Sequence, residues 1–197
     1  MPWTGTRVMA VSSGKGGVGK TNSVVNLAIA FSRMGKKVLL LDADLGLGNL
    51  DVLLGLAPRY NIGHLLSGEK TIDEVLVKGP EGVMILPASS GVHELTDLGA
   101  EERIALGAHL EELGDAFDIM IIDTGAGISS NVLFFNMSAQ EIVVVVTPEP
   151  TSITDAYALM KVMFQKHGER RFRLLVNSVK SKKDGLEVYR KISLAAE

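Results

Sequence analysis

Gly14-Lys15-Gly16-Gly17-Val18-Gly19-Lys20-Thr21 follows the spacing G-x-x-x-x-G-K-[ST], in which glycines let successive backbone N–H groups curl around phosphate oxygens. Arg7 to Ser12 before it reads as a short strand, and the amphipathic run Asn22 to Met34 after it reads as a helix. In that setting the loop amides and the helix dipole converge on one anion, whereas a structural glycine turn would need neither neighbour. Lys20 is expected to neutralise the β- and γ-phosphates, and the Thr21 hydroxyl to ligate Mg²⁺. Lys15 is surplus to the pattern. One position after the first glycine, it lies too far round the loop to duplicate Lys20, so it is free to reach another phosphate, including one on another subunit.

Outward from the loop, the chain alternates strand and helix. Gly35 stops the first helix, and Lys37-Val38-Leu39-Leu40-Leu41-Asp42 is an apolar run of the kind buried on both faces of a parallel sheet. Strands are expected at Val83 to Pro87, Asp118 to Asp123, Glu141 to Thr147 and Phe172 to Asn177. Helices are expected at Glu101 to Leu113, Ser129 to Met137, Thr151 to Lys166 and from Leu186 onward. Repeated β then α predicts an α/β fold, a doubly wound and mainly parallel sheet with helices on both faces. Leu45 to Lys78, broken by six Gly or Pro residues, reads as one or two short helices in a long excursion. Met160 and Met163, with Leu159 and Phe164, fall at helical spacing and are expected in the core.

The composition fits one packed domain over 1–197. Of 197 residues, 46% are hydrophobic and 22% charged, too apolar for a disordered chain. No apolar run approaches the roughly 18 residues needed to span a bilayer, and the opening Met1-Pro2-Trp3-Thr4-Gly5 lacks the regions of a secretory signal, so a cytoplasmic location is expected. With no cysteine, disulfides, thiolate zinc and iron–sulfur ligation are excluded. His64, His93, His109 and His167 have no metal-like spacing. The net charge of −3 is uneven: from Lys161 onward ten Lys or Arg face four Asp or Glu, giving +6, against −9 for the rest. A basic end suits nucleic acid, an acidic partner or anionic lipid, or else a solvated helix face. The last residues, Ala195-Ala196-Glu197, read as the middle of a helix with no cap, so the domain is expected to lack the end of its fold.

In open α/β sheets ligands bind beyond the carboxyl ends of the strands, and the polar residues gather at those ends. Asp42 and Asp44 close the second strand, followed by Leu45-Gly46-Leu47-Gly48-Asn49. A metal-bound triphosphate needs carboxylates behind the Mg²⁺ waters, and hydrolysis needs a group to orient the attacking water. Asp123 ends the apolar run Ile119-Met120-Ile121-Ile122 in the layout of a Walker B aspartate, with Thr124-Gly125-Ala126-Gly127 giving backbone room beside a γ-phosphate. Asn177 either reads the adenine edge with its amide or forms a turn.

Lys15 to Thr21 resembles the deviant Walker A motif of the MinD/ParA ATPases, and the resemblance runs over nearly the whole chain. Asp42-Ala43-Asp44-Leu45-Gly46-Leu47-Gly48-Asn49-Leu50-Asp51 is similar to the switch I segment of the MinD branch. Asp123 to Ile128 and Thr147-Pro148-Glu149-Pro150-Thr151-Ser152-Ile153-Thr154-Asp155-Ala156-Tyr157 resemble more specifically the flagellar-number regulators FlhG/FleN.

The resemblance implies a P-loop NTPase fold and a slow Mg²⁺-dependent ATPase that forms an ATP-bound sandwich homodimer and is monomeric or weakly paired with ADP. By carry-over, Lys15 would reach the phosphates of the partner's ATP, Asp44 would position the hydrolytic water beside Lys20, and Thr21, Asp42 and Asp123 would support Mg²⁺. Gly14, Lys15, Gly16, Gly17, Val18, Gly19, Lys20, Thr21 and Asn22, with Glu149 and Asn177, would form the nucleotide site. Glu149 would face the partner's ribose, and Asp155 would hold Lys15 at rest. Expected partners are the flagellar GTPase FlhF or a flagellar transcription regulator.

Two features depart from that branch. Its N-terminal segment that stimulates FlhF has only six residues here to match it, and its membrane-targeting C-terminal amphipathic helix has no counterpart in these residues. Peripheral binding to the inner face of the cell membrane therefore belongs to the family pattern. Nucleic acid is not an expected partner, although a ParA-like chromosome, plasmid or cell-division positioning ATPase that binds DNA through the basic end is an alternative. A nucleotide-gated scaffold that needs no catalysis is another.

Overall fold

The computed structural model describes residues 5–46, 48–88 and 97–196; Leu47 and His93 lie outside them. Seven strands run in the order β3-β4-β2-β5-β1-β6-β7: β1 Arg7–Ser13, β2 Val38–Ala43, β3 Val77–Lys78, β4 Met84–Leu86, β5 Ile119–Ala126, β6 Glu141–Val146 and β7 Arg173–Val176. The β2–β4 and β6–β7 pairs are parallel, and β3 is antiparallel to β4. The expected mainly parallel α/β sheet is therefore present. The helices are α1 Lys20–Arg33, α2 Leu50–Leu54, α3 Ile62–Leu66, α4 Ile72–Val75, α5 Ala100–Glu112, α6 Ser130–Met137, α7 Pro150–His167 and α8 Lys182–Ala196.

Backbone contacts divide the chain into two compact units. One runs from Thr21 to Asp123 and takes in the N-terminal stretch up to Met9. The other contains Ala10–Lys20 and Thr124–Glu197.

In the first unit every residue of β2 is buried, as a strand covered on both faces requires. Leu39, Leu40 and Leu41 of β2 align with Met84, Ile85 and Leu86 of β4. The end of α1 is a Schellman motif: Gly35, at φ 82°, donates to Ser32 O at 2.9 Å, and Lys36 N–H donates to Phe31 O at 3.1 Å. The excursion holds three short helices rather than one or two, and a two-residue edge strand, β3, follows them. Leu50, Ile62, Leu65, Ile72 and Val75 are the buried anchors of those helices.

The second unit has its own core. Val144 and Val146 of β6 pack with Val132 and Leu133 of α6, with Leu159 and Met163 of α7, and with Val188 and Ile192 of α8. Met160 and Met163 are core residues as expected, but Phe164 is 45% exposed. Its ring lies 5.1 Å from the Arg170 guanidinium, a cation–π contact at the surface. The α8 helix starts at Lys182, one turn before the expected Leu186, with Ser181 Oγ accepting from Asp184 N–H at 3.2 Å.

Candidate functional site

Within the second unit, the phosphate loop is fixed by close approach. A Cβ on Gly14 would run into the main chain of Asp155 and Ala156 in α7, so only glycine fits there. Gly19 has φ 85°, and a Cβ on it would meet the Asn177 amide. That amide donates from Nδ2 to Val18 O at 2.9 Å, while Asn177 N–H donates to Val146 O at 2.8 Å. Asn177 thus braces the loop from the end of β7, a structural job the sequence did not suggest. Ser13 Oγ donates to Lys15 O at 2.9 Å and ties the start of the loop to β1.

The two lysines of this loop differ in environment. Lys20 is buried, with 8% exposure. The Lys15 side chain is 40% exposed, and its ammonium donates to Glu149 Oε2 at 3.1 Å and to Thr151 Oγ1 at 3.0 Å. Glu149 caps α7, and Pro150 occupies its first turn, where the missing N–H costs nothing. Asp155 meets this region through its main chain against Gly14, not through a bond to Lys15. Thr151, within the quoted Thr147–Tyr157 stretch, carries no chemical signal of its own in the sequence. Asn22 is exposed on α1, and its carbonyl accepts from Asn26 Nδ2 at 2.8 Å.

Within the first unit, Asp42 and Asp123 are both buried, each 2% exposed. Asp123 lies inside β5, which runs on to Ala126 instead of ending at the carboxylate. Asp42 accepts from Asp44 N–H at 3.2 Å and from Leu50 N–H at 3.3 Å. Gly48 permits this return of the chain, since a Cβ there would sit 2.6 Å from Ala88 Cβ and 2.9 Å from Asp42 Oδ2. Burial, and then the Asp123 carboxylate, push Asp42 up to about 7 against the pull of those two backbone bonds.

Two buried carboxylates, Asp42 and Asp123, are hard oxygen donors of the kind that would suit a divalent cation. Mg²⁺ binds through one or two carboxylates and substrate phosphates while keeping several waters. Thr21, Asp42 and Asp123 are donors of that kind. Among the described residues no group of three or more His, Cys, Asp or Glu could hold a metal by itself.

A strand, a glycine-locked loop ending in Lys-Thr, and the helix that Lys20 opens define a P-loop nucleotide-binding domain. An AAA domain family model (AAA_31) matches residues 6–174. The antiactivator FleN of Pseudomonas aeruginosa is 46% identical over 95% of this chain and 67% of its own length. The flagellum site-determining protein YlxH of Helicobacter pylori is 38% identical over 98% of this chain and 65% of its own. Among solved structures, a chain of the MinC:MinD cell division protein complex of Aquifex aeolicus superposes with a TM-score of 0.77 at 31% identity, covering 94% of this chain and 78% of that one. The chain belongs to the MinD/ParA family of P-loop ATPases, in the branch of the FleN and FlhG flagellar regulators. It spans about two thirds of the length of those two flagellar relatives.

Proposed function

We propose that this chain is the nucleotide-binding part of an ATP-dependent dimerisation switch, which hydrolyses ATP slowly to ADP and phosphate and regulates flagellar number or placement through partner proteins. The observation that carries this reading is the contrast between the two lysines. Lys20 is buried in the loop, as a residue serving its own nucleotide should be. Lys15 is held at the surface by a half-exposed ion pair, which is worth about 1 kcal/mol or less and so releases easily. A lysine that must reach a second subunit's phosphates needs that kind of tether.

Thr21, Asp42 and Asp123 would hold Mg²⁺, directly or through water, and the ion would supply neutralisation of the charge on the phosphates. Lys20 and the loop amides bind the phosphates, Asp44 orients the attacking water, and Lys15 stabilises charge on the partner's ATP. Asn22, Glu149 and Asn177 belong to the nucleotide site as neighbours of the loop. The names of FleN, YlxH and MinD support a placement or regulatory role. The partner we propose is the flagellar GTPase FlhF or a flagellar transcription regulator. No helix among the described residues is long and apolar enough to cross a membrane. The location we propose is the cytoplasm, with peripheral attachment at the inner face of the cell membrane.

The test is ATP turnover with and without Mg²⁺ in the unaltered chain, Lys15→Ala and Asp44→Ala. The expected result is slow, Mg²⁺-dependent hydrolysis lost in both variants while ATP binding persists. Undiminished turnover in Lys15→Ala would remove the trans role of that lysine.

A further inference from the structure

Beneath the phosphate loop, wholly within the second unit, lies a polar cluster that the nucleotide chemistry does not use. Ser12, Thr124 and Asn136 are each fully buried, at 0% exposure. Asn136 Nδ2 lies 2.7 Å from Val132 O and 2.7 Å from Ser12 Oγ. Ser12 Oγ lies 2.6 Å from Thr124 Oγ1. Thr124 Oγ1 lies 3.2 Å from Val11 O and 2.9 Å from Gly125 O.

The protons of this cluster can be assigned from chemistry. A carbonyl only accepts, so the atom of Asn136 facing Val132 O must be the NH₂ group. Its second hydrogen then goes to Ser12 Oγ. Thr124 Oγ1 faces two carbonyls, which only accept, so its own hydrogen goes to one of them and Ser12 supplies the hydrogen between the two hydroxyls. The single Thr124 hydrogen is left with two acceptors and can satisfy only one at a time. One is Val11 O, on β1 at the root of the phosphate loop. The other is Gly125 O, two residues past Asp123. The chain of donors therefore runs one way and ends in a choice.

That choice matters because of where the two carbonyls sit. Gly127 N–H donates to Ser13 O at 2.9 Å, so the segment from Thr124 to Gly127 is already stitched to β1. The same Ser13 holds Lys15 O through its hydroxyl. If the Gly125 peptide rotates, the Thr124 proton can pass to Val11 O, and no buried hydroxyl loses its partner. Without that alternative, rotation would leave a buried donor unsatisfied, which is costly.

We propose that Ser12, Thr124 and Asn136 are positioning residues, whose one-way hydrogen-bond chain lets the Gly125–Gly127 segment change conformation with the nucleotide state while the root of the phosphate loop stays fixed. The inference rests on the ATPase reading above. Thr124 is fully buried and acts through the backbone at Gly125.

The experiment compares the unaltered chain with Thr124→Val, which keeps the shape but removes the hydroxyl, and Thr124→Ser, which restores it. ATP affinity, turnover and thermal midpoint are measured for each. Turnover is expected to fall about tenfold in Thr124→Val, with ATP affinity within twofold, and to return in Thr124→Ser. Equal turnover in Thr124→Val and the unaltered chain overturns the positioning role and leaves the ATPase reading intact. Parallel loss of affinity, turnover and midpoint in both variants overturns it as a folding defect. If the unaltered chain binds no ATP, the ATPase reading falls and the inference with it. Hydrogen exchange on the unaltered chain supplies a readout that needs no variant. The Gly125–Gly127 amides are expected to change protection between ADP and a nonhydrolysable ATP analogue, and identical protection counts against the proposal.

Discussion

The root of the phosphate loop and its outer rim lie a few residues apart and are held in opposite ways. At the root, Gly14 abuts the α7 main chain, Gly19 abuts Asn177, and Ser12, Ser13 and Lys20 are buried. At the rim, Lys15 is held by Glu149 and Thr151 in the open, with the Glu149 side chain 65% exposed. Burial makes every root contact expensive to lose, while solvent makes the rim contact cheap. A loop that binds a phosphate needs the first property, and a lysine that must leave its resting place needs the second.

Gly14→Ala attacks the root most directly. The added methyl has only backbone to displace, so the substitution should cost upward of about 4 kcal/mol or prevent folding, measured by urea denaturation. An ordinary transition would show that α7 yields more easily than the packing implies.

The buried aspartates of the first unit share the character of the root. Because the folded-state pKa of Asp42 is raised from 3.8 to about 7, the folded chain binds a proton that the unfolded chain has already lost between those values. Stability from this group therefore falls as pH rises from about 4 to about 7 and levels off above, a change of roughly 4 kcal/mol at most. Asp42→Asn should flatten that slope in metal-free denaturation at a series of pH values. An unchanged slope would show that Asp42 is not the lifted group.

Lys20→Ala should weaken ATP binding about 100-fold, or roughly 2.7 kcal/mol, measured by titration calorimetry. At the rim, Glu149→Gln should shift stability by less than about 1 kcal/mol. A larger loss there would erase the contrast between root and rim.

The same contrast explains what the sequence could tell. The strand and helix alternation was legible because apolar runs such as Val38 to Leu41 and Ile142 to Val146 announce buried strands by composition alone. The glycine-locked loop was legible because its spacing is restrictive, and the burial of Asp42 and Asp123 because each follows an apolar run. The excursion was not, because α2, α3 and α4 have only four or five residues each, too few to show a helical period. The extension of β5 through Thr124-Gly125-Ala126 was hidden by glycine, which weakens strand signals. The early start of α8 was hidden by its polar first turn. Ser12, Thr124 and Asn136 were invisible for another reason: each is an ordinary residue whose meaning comes only from three elements meeting.

The central claim is that ATP brings a second copy of this chain to meet Lys15. Its mass should be measured by light scattering with Mg²⁺-ADP and then with a Mg²⁺-loaded nonhydrolysable ATP analogue, in the unaltered chain and in Lys15→Ala. The account predicts a monomer with ADP, a dimer with the analogue, and a weakened dimer in Lys15→Ala. A chain that binds the analogue yet stays monomeric, or dimerises equally well without Lys15, would contradict it.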